Sequence, residues 1–154
     1  MNALARAALA GAATGARSFT GLAALTLATP AESATQPDRS LGHRWVKGLV
    51  TLAAAQELVM DKLPQAPSRL GLAGLGARIT TGAAVGTVAA RRGPEPSGVT
   101  VAVAVAVAVG TTVTAAWLGA NCRRLAVQRF GNDYVGAGAE DLLAMSLAWT
   151  ATRA

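Results

Sequence analysis

The chain has 154 residues, of which 52% are hydrophobic and only 14% charged, with a mean hydropathy of +0.38. A soluble domain usually carries about 25% charged residues, so the composition points to a surface that faces lipid, rich in the small residues that let membrane helices approach closely. The net charge of +6 does not indicate nucleic acid, because Lys and Arg stand singly or in pairs between apolar runs, as membrane-flanking cations do.

A first helix is predicted over 4–28, long enough to cross a hydrocarbon core of about 30 Å, with Arg17 near its middle. A cleaved signal peptide is the rival reading, opposed by Arg17, which splits the apolar core. Residues 30–44 read as a polar loop in which His43 is solvated. Trp45, between Arg44 and Lys47, reads as an interfacial anchor. A second helix over 46–63 stops before Pro64 and carries Glu57 roughly 9 Å from its end, with Asp61 and Lys62 in the last turn.

A third helix over 70–90 carries Arg78 near mid-depth, since a start at Ala77 leaves too few residues to cross. Gly82 and Gly86 in this helix, like Gly11 and Gly15 in the first, form small-x-x-x-small pairs. The fourth, 98–120, has no charge. Its Val/Ala alternation over 101–109 is read as helix, because strands in lipid need a closed barrel and no other segment repeats with period two. Arg123, Arg124 and Arg129 follow it, and a fifth helix over 134–152 carries Glu140 and Asp141 in its second turn. Cys122 is the only cysteine, which excludes an internal disulfide and a multi-cysteine metal centre. It is expected to be a small packing residue.

The expected fold is all-α: one domain over 1–154, an integral membrane bundle of about five transmembrane helices. With five crossings, Arg17 and Arg78 face Glu57 and Glu140 in one half of the membrane, with Asp61, Lys62, Asp141, Arg123 and Arg124 nearer the mouth of the cluster. Ionisable groups at membrane depth are functional-site candidates. The cluster therefore suggests a transporter- or channel-like protein for an ion, a proton or a small polar solute. The alternative is a structural or accessory membrane protein whose buried charges only fix helix packing.

An enzyme is not expected. No nucleophile, base and orienter stand together, no metal-ligand spacing occurs, and Gly71-x-x-Gly74-x-Gly76 lacks the Lys of a phosphate loop. No cofactor is expected, and the partners are the lipid bilayer, a second copy of the chain and a small solute or ion, without nucleic acid. Gly15-Ala16-Arg17 echoes Gly119-Ala120-Asn121, and Ala55-Gln56-Glu57 echoes Gly138-Ala139-Glu140, the pattern of a degenerate inverted repeat. Flanking cations number six on each side (Arg6, Lys62, Arg69, Arg123, Arg124 and Arg129 against Arg39, Arg44, Lys47, Arg91, Arg92 and Arg153) and assign no orientation.

Gly15-Ala16-Arg17-Ser18-Phe19, followed by Glu57-x-x-x-Asp61-Lys62-x-Pro64 and Pro67-Ser68, resembles the bacterial multi-pass membrane family catalogued as domain of unknown function 4126. The resemblance implies a helical fold and a bacterial inner-membrane location, and it carries no activity or functional residues.

Overall fold

A computed structural model describes residues 2–33, 36–60, 71–94 and 96–153. These form seven helices: α1 (Ala3–Ala16), α2 (Thr20–Leu27), α3 (Asp38–Gly42), α4 (Arg44–Met60), α5 (Leu72–Arg91), α6 (Gly98–Phe130) and α7 (Tyr134–Arg153). The all-helical expectation holds, with no strand among the described residues.

The first predicted helix does not run through. Arg17 is extended (φ −140°, ψ 117°) and ends α1, and the chain reverses. Gly21 lies directly against the carbonyl oxygen of Ala10 and the hydroxyl of Thr14, whereas one continuous helix would separate residues 10 and 21 by roughly 16 Å. Ala10 and Leu25 also share a buried cluster with Val85, Val88 and Ala151. The segment expected to cross once is therefore an antiparallel hairpin of two short helices whose tip is Arg17-Ser18-Phe19. The glycine makes the reversal sterically possible, since a Cβ at position 21 would overlap α1.

Three other expectations change. The 30–44 loop contains α3, a short helix with Asp38 in its first turn. The fourth helix runs ten residues past 120 to Phe130, because nothing between Asn121 and Phe130 breaks a helix; it ends at Gly131, whose φ of 72° closes the C-terminus. The inverted repeat does not hold for its first pair: α1 and α6 run parallel, and the reversal at Arg17 has no counterpart at Asn121, which lies inside α6. Asp61 and Lys62, with the end of the predicted 46–63 helix, lie outside the described residues.

The core is made of small side chains. Ala104, Ala108, Thr112 and Ala116, every fourth residue of α6, are buried. Ala7 packs on Ala104 and Ala108. A Cβ on Gly11 would meet the backbone of Ala108, one on Gly15 that of Thr112, and one on Gly86 the Val105 Cα at 2.7 Å and the Ala104 carbonyl at 2.8 Å. Both glycine pairs noted in the sequence thus sit at helix crossings on one α6 stripe, where backbones approach closely.

Thr112 Oγ1, fully buried, donates to the Gly11 carbonyl at 2.9 Å across the α1–α6 crossing. Thr112→Val should lower stability by about 1 kcal/mol, while Thr114→Val, whose exposed hydroxyl bonds only within its own helix, should not. Thermal unfolding of both proteins in detergent checks this, and equal midpoints would remove the seam hydrogen bond as a contributor.

Large apolar side chains point the other way. Leu49, Leu52, Leu72, Trp45, Trp149, Leu142 and Leu143 are each at least 60% exposed. Among the described residues one helix, α6, is long and apolar enough to cross a membrane, and only 22% of its most apolar window is buried.

Candidate functional site

Arg17, Glu57, Arg78 and Asp141, predicted from separate segments, come together around the hairpin tip. Ser18 and Phe19 lie between α1 and the first residue of α2, and their backbone N–H groups need an acceptor. Glu57 of α4 supplies it: Oε1 accepts the Ser18 N–H at 2.8 Å and Oε2 the Phe19 N–H at 3.1 Å. A carboxylate at this end also complements the helix dipole. Arg78 of α5, 3% exposed, reaches the same place. Its Nη2 lies 3.6 Å from Glu57 Oε1, its Nε donates to the Gly15 carbonyl at 3.2 Å and its Nη1 to the Gly74 carbonyl at 3.2 Å. Arg78 therefore binds the C-terminal end of α1 through a carbonyl and pairs with the carboxylate at the start of α2.

Arg17, 1% exposed, occupies the tip itself. Its Nε donates to Asp141 Oδ1 of α7 at 2.7 Å, and Nη2 contacts the same oxygen. Asp141, expected nearer the mouth, is thus a direct partner of Arg17.

Glu140, adjacent in sequence, turns to α6. Its Oε2 accepts from Arg123 Nε at 2.9 Å, and Arg123 Nη1 also pairs with Asp133 at 3.1 Å. Gly119 leaves the space Glu140 needs, since a Cβ there would lie 2.7 Å from Oε1. Arg124 does not join the cluster. It is exposed on the other face of α6 and bonds the Asn121 side chain one turn away. Cys122, expected to be a packing residue, is exposed and lines an apolar groove of about 1040 Å³ along α6 and α7, with Leu118, Gly119, Leu143 and Glu140.

The opposite end of α2 holds an arrangement the sequence reading missed. Lys47 Nζ donates to the Thr29 carbonyl at 2.6 Å, and Arg92 Nη2 donates to the Leu25 carbonyl at 3.2 Å and contacts the Thr29 hydroxyl. Arg92 is oriented by Asp38 Oδ1 of α3 at 2.7 Å. Cations thus cap the C-terminus of α2 and a carboxylate its N-terminus, so an eight-residue helix is held from both ends by other elements. The signal was Asp38 within the polar loop, but its partner lies 54 residues away and follows from no local spacing.

Among the described residues no group of three or more His, Cys, Asp or Glu side chains could hold a metal ion. The two innermost groups of the junction are guanidiniums. The carboxylates lie further out, with 13% of the Glu57 side chain and 21% of the Asp141 side chain accessible against 4% and 2% for Arg78 and Arg17. Comparison with family models, curated proteins and solved structures finds no match to this chain.

Proposed function

We propose that this chain is a multi-pass integral membrane protein whose helical hairpin enters from one side and returns to it, and that the charged junction at the hairpin tip is a solute or ion site of transporter or channel type. The observation that carries the membrane reading is the inverted distribution of side chains. Ala, Gly, Thr and two arginines make up most of the interior beside Leu25, Val85 and Val88, while many Leu and Val side chains and all three Trp lie outside, the arrangement expected where lipid replaces water. Depth agrees. At 1.5 Å per residue, Trp45 lies roughly 18 Å to one side of the Arg17 level, counted along α4 from Glu57, and Tyr134 roughly 10 Å to the other, counted along α7 from Asp141. Their sum, roughly 28 Å, matches a hydrocarbon core bounded by aromatic residues.

Irregular backbone at such depth is tolerated where it is enclosed in protein or lines a cavity, and broken helices whose ends meet ionic groups are a common device for binding solutes at membrane depth. A bacterial inner-membrane location follows from the motif resemblance alone. The second reading, a scaffold whose charges only lock the helices, is favoured by Arg78, which bonds two fixed backbone carbonyls. Flux through liposomes separates the two: Glu57→Gln should keep the assembly and change solute flux, whereas equal leak with and without the protein leaves the scaffold.

The hairpin has its own test. In a Cys122→Ser background, a membrane-impermeant maleimide should label Asn2→Cys, Ser40→Cys and Thr152→Cys from one side and Asn132→Cys from the other. A first segment that crossed once would put Asn2→Cys and Ser40→Cys on opposite sides, and that result would overturn the re-entrant arrangement.

A further inference from the structure

The reversal at Arg17 re-sorts the cations that flank the membrane. A hairpin that returns to its own side keeps Arg6 beside the end of α2, where it faces Arg92 and Asp38. Arg6 therefore leaves one group of six and joins the other, so that the even split becomes seven against five. Two of the five, Lys62 and Arg69, lie outside the described residues.

The cations at the fuller end differ in what the fold asks of them. Lys47 and Arg92 cap α2 through the Thr29 and Leu25 carbonyls, and Asp38 holds Arg92. Arg39, Arg44, Arg91 and Arg153 are exposed, and no hydrogen bond or ion pair among the described residues uses their side chains. Arg39 and Arg91 adjoin the two residues of the Asp38–Arg92 bridge, which brings them together. Arg44 and Arg153 lie over the rings of Trp45 and Trp149, 6.0 Å and 4.2 Å from the centroids. At the far end the exposed cations among the described residues are Arg124 and Arg129, because Arg123 is bound to Asp133 and Glu140.

We infer that the end of the bundle carrying Arg39, Arg44, Arg91 and Arg153 is a docking surface for the headgroups of anionic phospholipids, and hence the end that lies at the cytoplasmic leaflet. This rests on the multi-pass membrane reading and does not depend on whether the junction carries a solute. A guanidinium offers a rigid fork of donors that matches phosphate oxygens two at a time. Tryptophan rings sit at headgroup depth, so a guanidinium stacked on one is held at the level of the phosphates. The described carboxylates of this end are Glu32 and Asp38, and Asp38 is already engaged by Arg92. Four positive charges thus face outward with little to offset them. The cytoplasmic leaflet carries the negative surface potential that attracts such cations, and an excess of Lys and Arg marks the cytoplasmic side.

Trp117→Phe leaves Trp45 and Trp149 as fluorescent reporters of this end. In phosphatidylcholine vesicles, brominated phosphatidylglycerol should quench them more than brominated phosphatidylcholine at equal mole fraction. Sodium chloride at about 1 M, where the Debye length is about 3 Å, should remove the difference. Arg39→Gln and Arg91→Gln, neither of which stacks on a reporter, should each weaken the apparent affinity for phosphatidylglycerol about fivefold. Arg124→Gln with Arg129→Gln should leave it unchanged. Equal quenching by the two lipids, or a preference indifferent to Arg39 and Arg91, would overturn the docking surface.

Orientation has a separate readout. In a Cys122→Ser background, an impermeant maleimide should label Ser40→Cys in inside-out vesicles and not in right-side-out ones, and the reverse pattern would overturn the cytoplasmic assignment. Release of the protein from membranes by alkaline carbonate would overturn the multi-pass reading itself, and this inference with it.

Discussion

Arg17→Leu should cost about 3–5 kcal/mol of stability, the range for breaking a buried ion pair by removing one partner, and Asp141→Leu should cost a similar amount. The reason lies less in the attraction lost than in what remains. Arg17 is 1% exposed, so without Asp141 its guanidinium keeps the full penalty of desolvation with fewer groups to offset it. Without Arg17, the Asp141 carboxylate loses its guanidinium partner. The double variant Arg17→Leu/Asp141→Leu should recover more than half of the loss, because two apolar side chains in small-residue surroundings carry no such penalty. Recovery stays incomplete because Arg17 makes further interactions beyond Asp141. A double-mutant cycle on detergent-solubilised protein, read by thermal unfolding, measures this directly. Strictly additive losses would show that the two groups are neighbours without coupling.

Much of the site was legible because charge in an apolar run is conspicuous: Arg17, Glu57, Arg78, Glu140 and Asp141 each interrupt a stretch that would otherwise be uniformly hydrophobic. That they meet follows from physics, since isolated charges at such positions must find partners. Which group pairs with which was not legible. The pairing of Arg17 with Asp141 depends on a reversal at residue 17, and apolar content over 4–28 is the same for one long helix and for two short ones. Gly15 and Gly21 flanking the polar Arg17-Ser18 pair are compatible with a reversal, but in a chain with 17 glycines their spacing carries little information.

Helix ends were misjudged for a related reason. The predicted apolar span ends at Ala120, before the polar Asn121, whereas the backbone continues to the first residue that stops it, Gly131. Hydropathy marks where an apolar environment ends, and capping marks where a helix ends. In α6 those points are ten residues apart.

Gly15→Ala should be the most damaging single-methyl addition in the protein, and a graded set of glycine variants tests why. At Gly15 a new Cβ would lie against the carbonyl of Thr112, with Ala115 Cβ at 2.7 Å and the Thr112 carbonyl carbon at 2.9 Å. Two of these are backbone atoms, so no rotamer change relieves the overlap and α1 must move away from α6. At Gly82 the nearest atom is the Thr112 hydroxyl at 2.7 Å, which can rotate if it gives up its bond to Gly11. At Gly110 nothing lies within 4 Å.

Overpacking costs about 1–3 kcal/mol and occasionally more, whereas Ala is better than Gly in a helix interior by about 0.5–1 kcal/mol. The expected order of melting midpoints is therefore Gly15→Ala below Gly82→Ala below wild type, with Gly110→Ala at or above it. The Gly15 effect should also exceed that of an ordinary core clash, because its carbonyl is the acceptor for Arg78 and the hairpin tip begins two residues later. A shift that relieves the overlap with Thr112 draws Gly15 from the guanidinium and the Ser18 and Phe19 N–H groups from Glu57 in the same movement. The losses from Gly15→Ala and Arg78→Gln should thus be less than additive, while those from Gly82→Ala and Arg78→Gln should add. Additivity in both pairs would mean that the glycine seam and the charged junction are built independently.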